Sequence, residues 1–368
     1  MRPSGTTAPP VTATAPPPVA PASGPRGLAP VLAVVLVPLL AVSVVLAVGL
    51  GAAVIPPAET ARYLWAALTG GTIGADEISR YQIVWQIRTP RVLLAATVGA
   101  GLSVVGVAVQ AMVRNPIADP FVLGISSGAS VGAVAVGVFG VLSSLGVYAV
   151  SAGAFAGAAV ATAVVYGLAH SSAGVTPLRL VLTGVALSFG FQALMSVIVY
   201  FTPSNEATST VLFWTMGGFG AANWGSLPLV AALVVVGAVV VHRSSRSLDV
   251  AALGDETAAS LGVDTGRLRA VMFLLTAAMT GAMVAVSGVI GFVGLVVPHV
   301  VRIVVGAAHR RVLVVAPLVG AVFMVWVDLA SRVVAAPREL PLGVLTALVG
   351  VPVFLTLMRR RGYVFGGR

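Results

Sequence analysis

Arg88 and Arg91 are separated by Thr89 and Pro90, immediately before a long apolar run. A guanidinium is planar, permanently charged, and able to grip a carboxylate through two parallel hydrogen bonds. The pair is therefore equipped to hold an acidic group rather than to make or break bonds. Asp328 precedes Arg332 by four residues, a spacing that sets two side chains side by side on a helix. Asp328 is the one acid that falls inside an apolar segment, and charge in such a place usually serves function. Pairing with Arg332 is its expected role, while nearby Glu339 is expected to start the next apolar segment rather than to meet a cation.

Bond-making chemistry has little else to work with. His170, His242, His299 and His309 show no ligand spacing, and neither H-E-x-x-H nor G-x-S-x-G occurs. The absence of cysteine excludes disulfides and thiolate metal sites. All 21 basic residues are arginine, and a phosphate-binding P-loop requires lysine, so any ATPase must be another chain. His299, after Pro298, admits a metal or proton-relay role or a helical histidine satisfied by a backbone carbonyl. No metal, nucleic acid or cofactor is expected on this chain.

The elements that position these residues are apolar. Of 368 residues, 58% are hydrophobic and 9% charged, against about a quarter charged in soluble domains. A membrane-spanning helix needs roughly 20 mostly apolar residues. Such runs fall at about 28–54, 91–113, 121–140, 146–169, 178–201, 226–242, 268–290, 293–308, 312–333 and 341–358. The expected fold is all-α, a polytopic membrane protein of about ten spans. Residues 1–27, rich in Pro, Ala, Thr and Ser, read as a disordered cytoplasmic tail. The membrane-spanning domain is expected over 28–360 and a cytoplasmic end over 361–368. With both termini inside, fifteen arginines lie inside and six outside, as the positive-inside rule requires.

The breaks between runs carry their own signals. Residues 56–90 read as an external segment with Trp65 and Trp85 at the lipid interface. Residues 243–267 form a cytoplasmic loop in which Asp255 can cap a short helix, Glu256 suits its first turn and Gly262 its left-handed end. Ala258 and Leu261 would then form an apolar side, turned either to another protein's groove or back onto the bundle. Arg114 to Pro120 reads as a tight turn, with Asn115 and Asp119 bonding turn backbone. Asn205 to Gly225 reads as a short external helix with a glycine hinge. Small residues from Val98 to Gly106 and from Gly128 to Gly157 imply close helix packing.

Several stretches together resemble one family. They are Val84 to Arg91 (VWQIRTPR), Gln110, Arg114 to Pro120 (RNPIADP), Leu123 to Ala129 (LGISSGA), Trp214 to Gly220 (WTMGGFG), Leu253 to Val263 (LGDETAASLGV), Gly291 to His299 (GFVGLVVPH) and Glu339 to Gly343 (ELPLG). In this order, across roughly 28–360, they resemble the FecCD permeases of iron-siderophore, haem and cobalamin ABC importers (type II importers). The resemblance implies a dimer, with a second copy or a paralogue, in the bacterial plasma (inner) membrane. It implies two nucleotide-binding ATPase subunits that hold ATP and Mg, and a substrate-binding protein outside. It makes Gly254, Asp255, Glu256, Ala258, Leu261, Gly262 and Val263 the coupling helix on the ATPase. Arg88, Arg91 and Arg332 would receive carboxylates of the binding protein, where the residues alone also allow snorkelling to lipid headgroups. A pathway for a bulky chelate suits weakly polar lining, for which Gln110, Thr176, Ser188, Gln192 and Ser196 are candidates, with Asn115 and Pro116 at the inner gate.

Two other classes compete. An ion-coupled secondary carrier usually places acids or broken helices at the bilayer midplane, and this chain offers Asp328 near one end. A membrane-embedded enzyme lacks a motif here.

Overall fold

A computed structural model describes residues 27–359 except 52, 116, 171–174, 203–210 and 213. The predicted tail, Pro116, and the end beyond residue 359 lie outside the described residues. Every labelled element is helical: α1 (Leu28–Gly49), α2 (Pro57–Thr69), α3 (Thr89–Val113), α4 (Ile125–Phe139), α5 (Ala149–Ala169), α6 (Pro177–Phe201), α7 (Leu227–Arg243), α8 (Ser245–Ala251), α9 (Asp255–Ser260), α10 (Thr265–Ser287), α11 (Val293–Val305), α12 (His309–Val333) and α13 (Leu342–Arg359). Each predicted apolar run contains one of these helices, with ends displaced by a few residues. Among the described residues, six stretches are long and apolar enough to cross a membrane, and the pair α7 and α8, bent by 55°, makes a seventh if taken as one span. Helices α4, α11 and α13 are shorter apolar elements.

The external segment and the cytoplasmic loop hold helices that the sequence reading did not place. Residues 56–90 hold α2 and a helical lead-in that runs from Ala75 without interruption into α3. Arg62 pairs with Glu77, and Arg80 meets Glu59 at 3.3 Å, fastening α2 to the lead-in. The cytoplasmic loop contains α8 as well as α9, because Ser245, Leu248 and Ala251 find apolar cover.

Helix α3 is the axis of the bundle, packed against α7, α10, α11 and α12. In its most apolar window 78% of residues are buried, against 6% for α6. Glycine makes the approach possible. A methyl group on Gly106 would sit 2.0 Å from the Gly294 carbonyl oxygen, and one on Gly99 would sit 2.2 Å from the Gly320 carbonyl oxygen. Apolar burial gives little net drive between helices in lipid, so close backbone contact of this kind supplies much of the association.

Gly106→Ala is expected to destabilise the purified protein by about 1–3 kcal/mol, the usual cost of overpacking. Gly167→Ala, where a methyl group would meet nothing within 4 Å, is the matched control. Thermal unfolding in detergent, followed by tryptophan fluorescence, should separate the two.

Candidate functional site

The charged residues gather at the two ends of α3. At the outer end Arg91 is the centre. Its Nε donates to Asp328 Oδ1 at 2.8 Å, while Nη1 and Nη2 donate to Glu339 Oε1 and Oε2 at 2.8 and 2.9 Å. Asp328, fully buried, gives its other oxygen to Arg332 Nε at 3.0 Å. Arg332 also donates to the carbonyls of Ala47 and Leu50 at 2.9 and 3.2 Å. Arg88 donates to the carbonyls of Val48, Gly49 and Ala53 at 3.1, 2.9 and 2.6 Å. The last carbonyls of a helix have no intrahelical partner and carry partial negative charge. Two arginines therefore cap the end of α1.

The three arginines that the resemblance assigns to carboxylates of a binding protein take carboxylates and carbonyls of their own chain here. Arg88, Arg91 and Arg332 are 8%, 8% and 9% exposed, and each is committed inside the chain because the carbonyls ending α1 and two acids lie beside them. The pairing of Asp328 with Arg332 is as expected. Glu339 is corrected: it meets a cation, held by the fork of Arg91, and α13 begins after it at Leu342. Those hydrogen bonds hold the Glu339 carboxyl below the usual glutamate range despite its partial burial.

At the inner end Gln110 donates from Nε2 to the carbonyls of Gly294 and Leu295, both at 3.2 Å, and its Oε1 accepts from Arg302. Gln110, a candidate for the pathway lining, is 2% exposed and ties α3 to α11. Four residues on, Arg114 ends α3 with φ 55° and ψ 34°, in the left-handed region. Its Nε donates to the Ala251 carbonyl at 3.0 Å, and its Nη2 pairs with Asp255 Oδ1, the oxygen that also receives Arg269 Nη2 from α10.

Helix α9 is where the sequence placed it, with differences in detail. Gly254, φ 114°, occupies the N-cap position and Asp255 makes no cap bond, because its carboxylate turns to the two arginines. Burial works against its ionisation, but Arg269 and Arg114 outweigh it and keep the acid below the usual carboxylate range. Of the two sides left open, Ala258 packs back onto the bundle and is fully buried, whereas Leu253 and Leu261 are 64% and 60% exposed. Glu256 is exposed, Gly262 takes the left-handed conformation at φ 79°, and Val263 donates to the Ala258 carbonyl at 2.9 Å. Asp264, unforeseen as a cap, accepts from Arg267 N at 2.9 Å to start α10. Asp249 accepts from His309 N at 3.0 Å and lies 2.6 Å from its Nδ1. Such pairs, with Gln110 and Arg302, join distant segments and leave no local spacing to find.

The weakly polar candidates lie around α6, of which Leu180 and Gly184 are the buried residues. Gln192 lines a cavity of about 280 Å³ with Ser127, Ser130, Met195 and Thr215. A neighbouring cavity of about 660 Å³ shares Phe121, Thr215 and Val289 and continues along α13 to Val344 and Leu348. Ser188 bonds the Gly184 carbonyl at 2.9 Å and Ser196 the Gln192 carbonyl at 3.0 Å. Thr176 is half-buried at the start of α6. Asn115 and Asp119 accept from Ile117 N and Phe121 N at 3.1 and 2.9 Å, the turn role expected of them. His299 is buried on α11, and no metal-binding cluster occurs among the described residues.

A family model for FecCD transport proteins matches residues 39–360. The chain belongs to the FecCD transport family. A cobalamin import system permease of Halobacterium salinarum is 41% identical over 76% of this chain and 74% of its own. An Fe(3+)-citrate import system permease of Bacillus subtilis is 38% identical over 78% and 89%. A solved structure described as an inward-facing conformation of a metal-chelate type ABC transporter superposes with a TM-score of 0.77 at 32% identity, covering 89% of this chain and 99% of that one. FecCD proteins are transport permeases of the membrane, so this chain is a transport subunit rather than an enzyme.

For a FecCD permease with this outer cluster, Asp328→Asn should cost about 3–5 kcal/mol, because it leaves buried charge uncompensated. Glu339→Gln, at a half-exposed acid, should stay within about 1 kcal/mol. Denaturant titration in detergent compares them. Glu339 has a depressed folded pKa, so its contribution is present above the unfolded glutamate value of about 4.3. It is lost as pH falls through the lower folded value, and that acid sensitivity should be absent in Glu339→Gln.

Proposed function

We propose that the chain is the permease half of an ATP-binding-cassette importer that moves an iron-siderophore complex, or a chelate of the haem or cobalamin kind, into the cytoplasm. Ten helices cross the bacterial inner membrane with both termini inside, an arrangement supported by the distribution of arginines. A second copy or a paralogue completes the pathway. Two ATPase subunits, holding ATP and Mg, sit beneath, and a binding protein delivers the chelate from outside.

The observation that carries this reading is α6. It is a 25-residue apolar helix with two buried residues, and it borders a cavity lined by Ser127, Ser130 and Gln192. A helix left this bare beside weakly polar lining is half of a conduit, and a partner must supply the other half. Leu253 and Leu261, exposed around α9, offer apolar contacts for the ATPase. The outer cluster has three arginines against Asp328 and Glu339, and its excess positive charge suits steering of an acidic binding protein. An iron chelate is the favoured cargo from the ferric-citrate relative, while the cobalamin relative marks the alternative. The ion-coupled carrier reading loses its candidate acid, because Asp328 is clamped by Arg91 and Arg332.

Proteoliposomes containing the chain, its ATPase and its binding protein should take up one radiolabelled chelate among ferric siderophore, haem and cobalamin when ATP is enclosed. Leu253→Asp with Leu261→Asp should abolish uptake at unchanged membrane content. Uptake that survives this change and collapses with an uncoupler would instead support the ion-coupled carrier.

A further inference from the structure

Helices α5 and α10 pack side by side but do not close fully against each other. Between them runs a groove of about 470 Å³, lined by Phe155, Ala159, Ala163 and Tyr166 of α5 and by Leu274 and Ala278 of α10, among others. The α5 residues recur at intervals of three and four and so form one stripe along the helix, about 17 Å long at 1.5 Å per residue. Half of a bilayer's hydrocarbon core is about 15 Å deep. The groove is therefore as long as one leaflet is deep. Among the described residues, neither α6 nor α13, the helices that border the proposed conduit, contributes to its lining.

The lining suits an alkyl chain. Its Thr162 hydroxyl already donates to the Ala158 carbonyl at 2.7 Å, so the walls ask for no polar partner there. At the outer end the helices touch: a methyl group on Gly281 would sit 2.8 Å from Ala158 Cβ and 3.6 Å from the Phe155 ring. At the inner end Tyr166 stacks on Phe273, with ring centroids 6.1 Å apart, and lies 5.8 Å from His170. Rings with an apolar body and a polar tip suit the membrane–water boundary.

Charge stands beyond that end. Arg267 lies seven residues before Leu274, about two turns along the same stripe of α10, with exposed Val271 between them. Arg267 is exposed, and among the described residues its guanidinium joins no ion pair. The acid nearest in sequence, Asp264, is turned to the Arg267 backbone N–H at 2.9 Å. A slot one leaflet deep thus leads from the middle of the bilayer to an unpaired cation at its surface.

We propose that this groove binds one acyl chain of an anionic phospholipid of the cytoplasmic leaflet, with the lipid phosphate drawn to Arg267. Basic positions between spans at the cytoplasmic surface recognise such headgroups. The choice of leaflet rests on the reading that α5 ends and α10 begins on the cytoplasmic side.

The experiment purifies the full chain in detergent, adds phosphatidylglycerol or phosphatidylcholine, and counts retained lipid by native mass spectrometry. Wild type should retain phosphatidylglycerol in preference to phosphatidylcholine. Arg267→Gln should lower phosphatidylglycerol retention roughly fivefold, the effect of one basic residue near an anionic surface. Ala163→Trp, which fills the groove, should abolish retention. Leu168→Trp, the same bulk at an exposed position of α5 outside the lining, should leave it intact. Ala278→Leu fills the groove from the facing helix and repeats the test should Ala163→Trp fail to fold. Equal retention of the two lipids, or retention unchanged by the filling variants, would overturn the proposal. So would displacement of the lipid by soluble glycerol 3-phosphate, which would make this a free-phosphate site, or a change of oligomeric state in Ala163→Trp, which would give the groove to a second copy. Orientation is read separately on Glu256→Cys, in a chain without cysteine. Its labelling in intact cells by a membrane-impermeant maleimide would defeat the topology on which the leaflet rests, while retention in detergent would still judge the groove.

Discussion

The close seating of α3 on α11 and α12 is the constraint on which the rest of the structure depends. Gly99 and Gly106 let backbone meet backbone, and helices in lipid associate through such contact rather than through apolar burial. A helix fitted this tightly cannot slide without disturbing its neighbours. It transmits displacement as a unit, and its two ends become the natural places for charge that must hold position.

Those ends solve similar problems in different ways. At the outer end the charges are buried, and burial of an ion is tolerable only with pairing and satisfied hydrogen bonds. Asp328 meets that condition by giving one oxygen to Arg91 and the other to Arg332. Arg88 and Arg332 meet it by taking backbone carbonyls at and just beyond the end of α1. At the inner end Asp255 is half-exposed, and its contacts can be exchanged at lower cost. The outer cluster is suited to holding shape and the inner one to changing it.

This division fits a machine without chemistry of its own. On the proposed reading, a permease needs a firm frame, an incomplete conduit, and a lever reaching its power source. Helices α3, α11 and α12 form the frame, α6 and α13 border the cavities, and α9 stands at the cytoplasmic end of the frame. The lining of these cavities offers serine, threonine and glutamine hydroxyls and amides among apolar groups but no charge.

The sequence by itself determined the helices. Runs of apolar residues long enough for a bilayer are local, and so are the prolines at the starts of α3 and α6 and the glycine turn after α9, so element positions were legible to within a few residues. The pairing of Asp328 with Arg332 was legible for the same reason, four residues on one helix. The partners of Arg88, Arg91, Gln110 and Asp255 were not. Arg88 finds its acceptors about 40 residues away and Arg91 finds Glu339 248 residues away. Helices α2 and α8 were not legible in 56–90 and 243–267 because they are short, and packing rather than hydropathy stabilises them. Ala258 turned inward and Asp255 turned to two arginines for a reason no local pattern carries: which face of a short helix is covered depends on where α3 and α10 end. Local hydropathy set where the chain crosses, and only the tertiary structure decided which charges would meet.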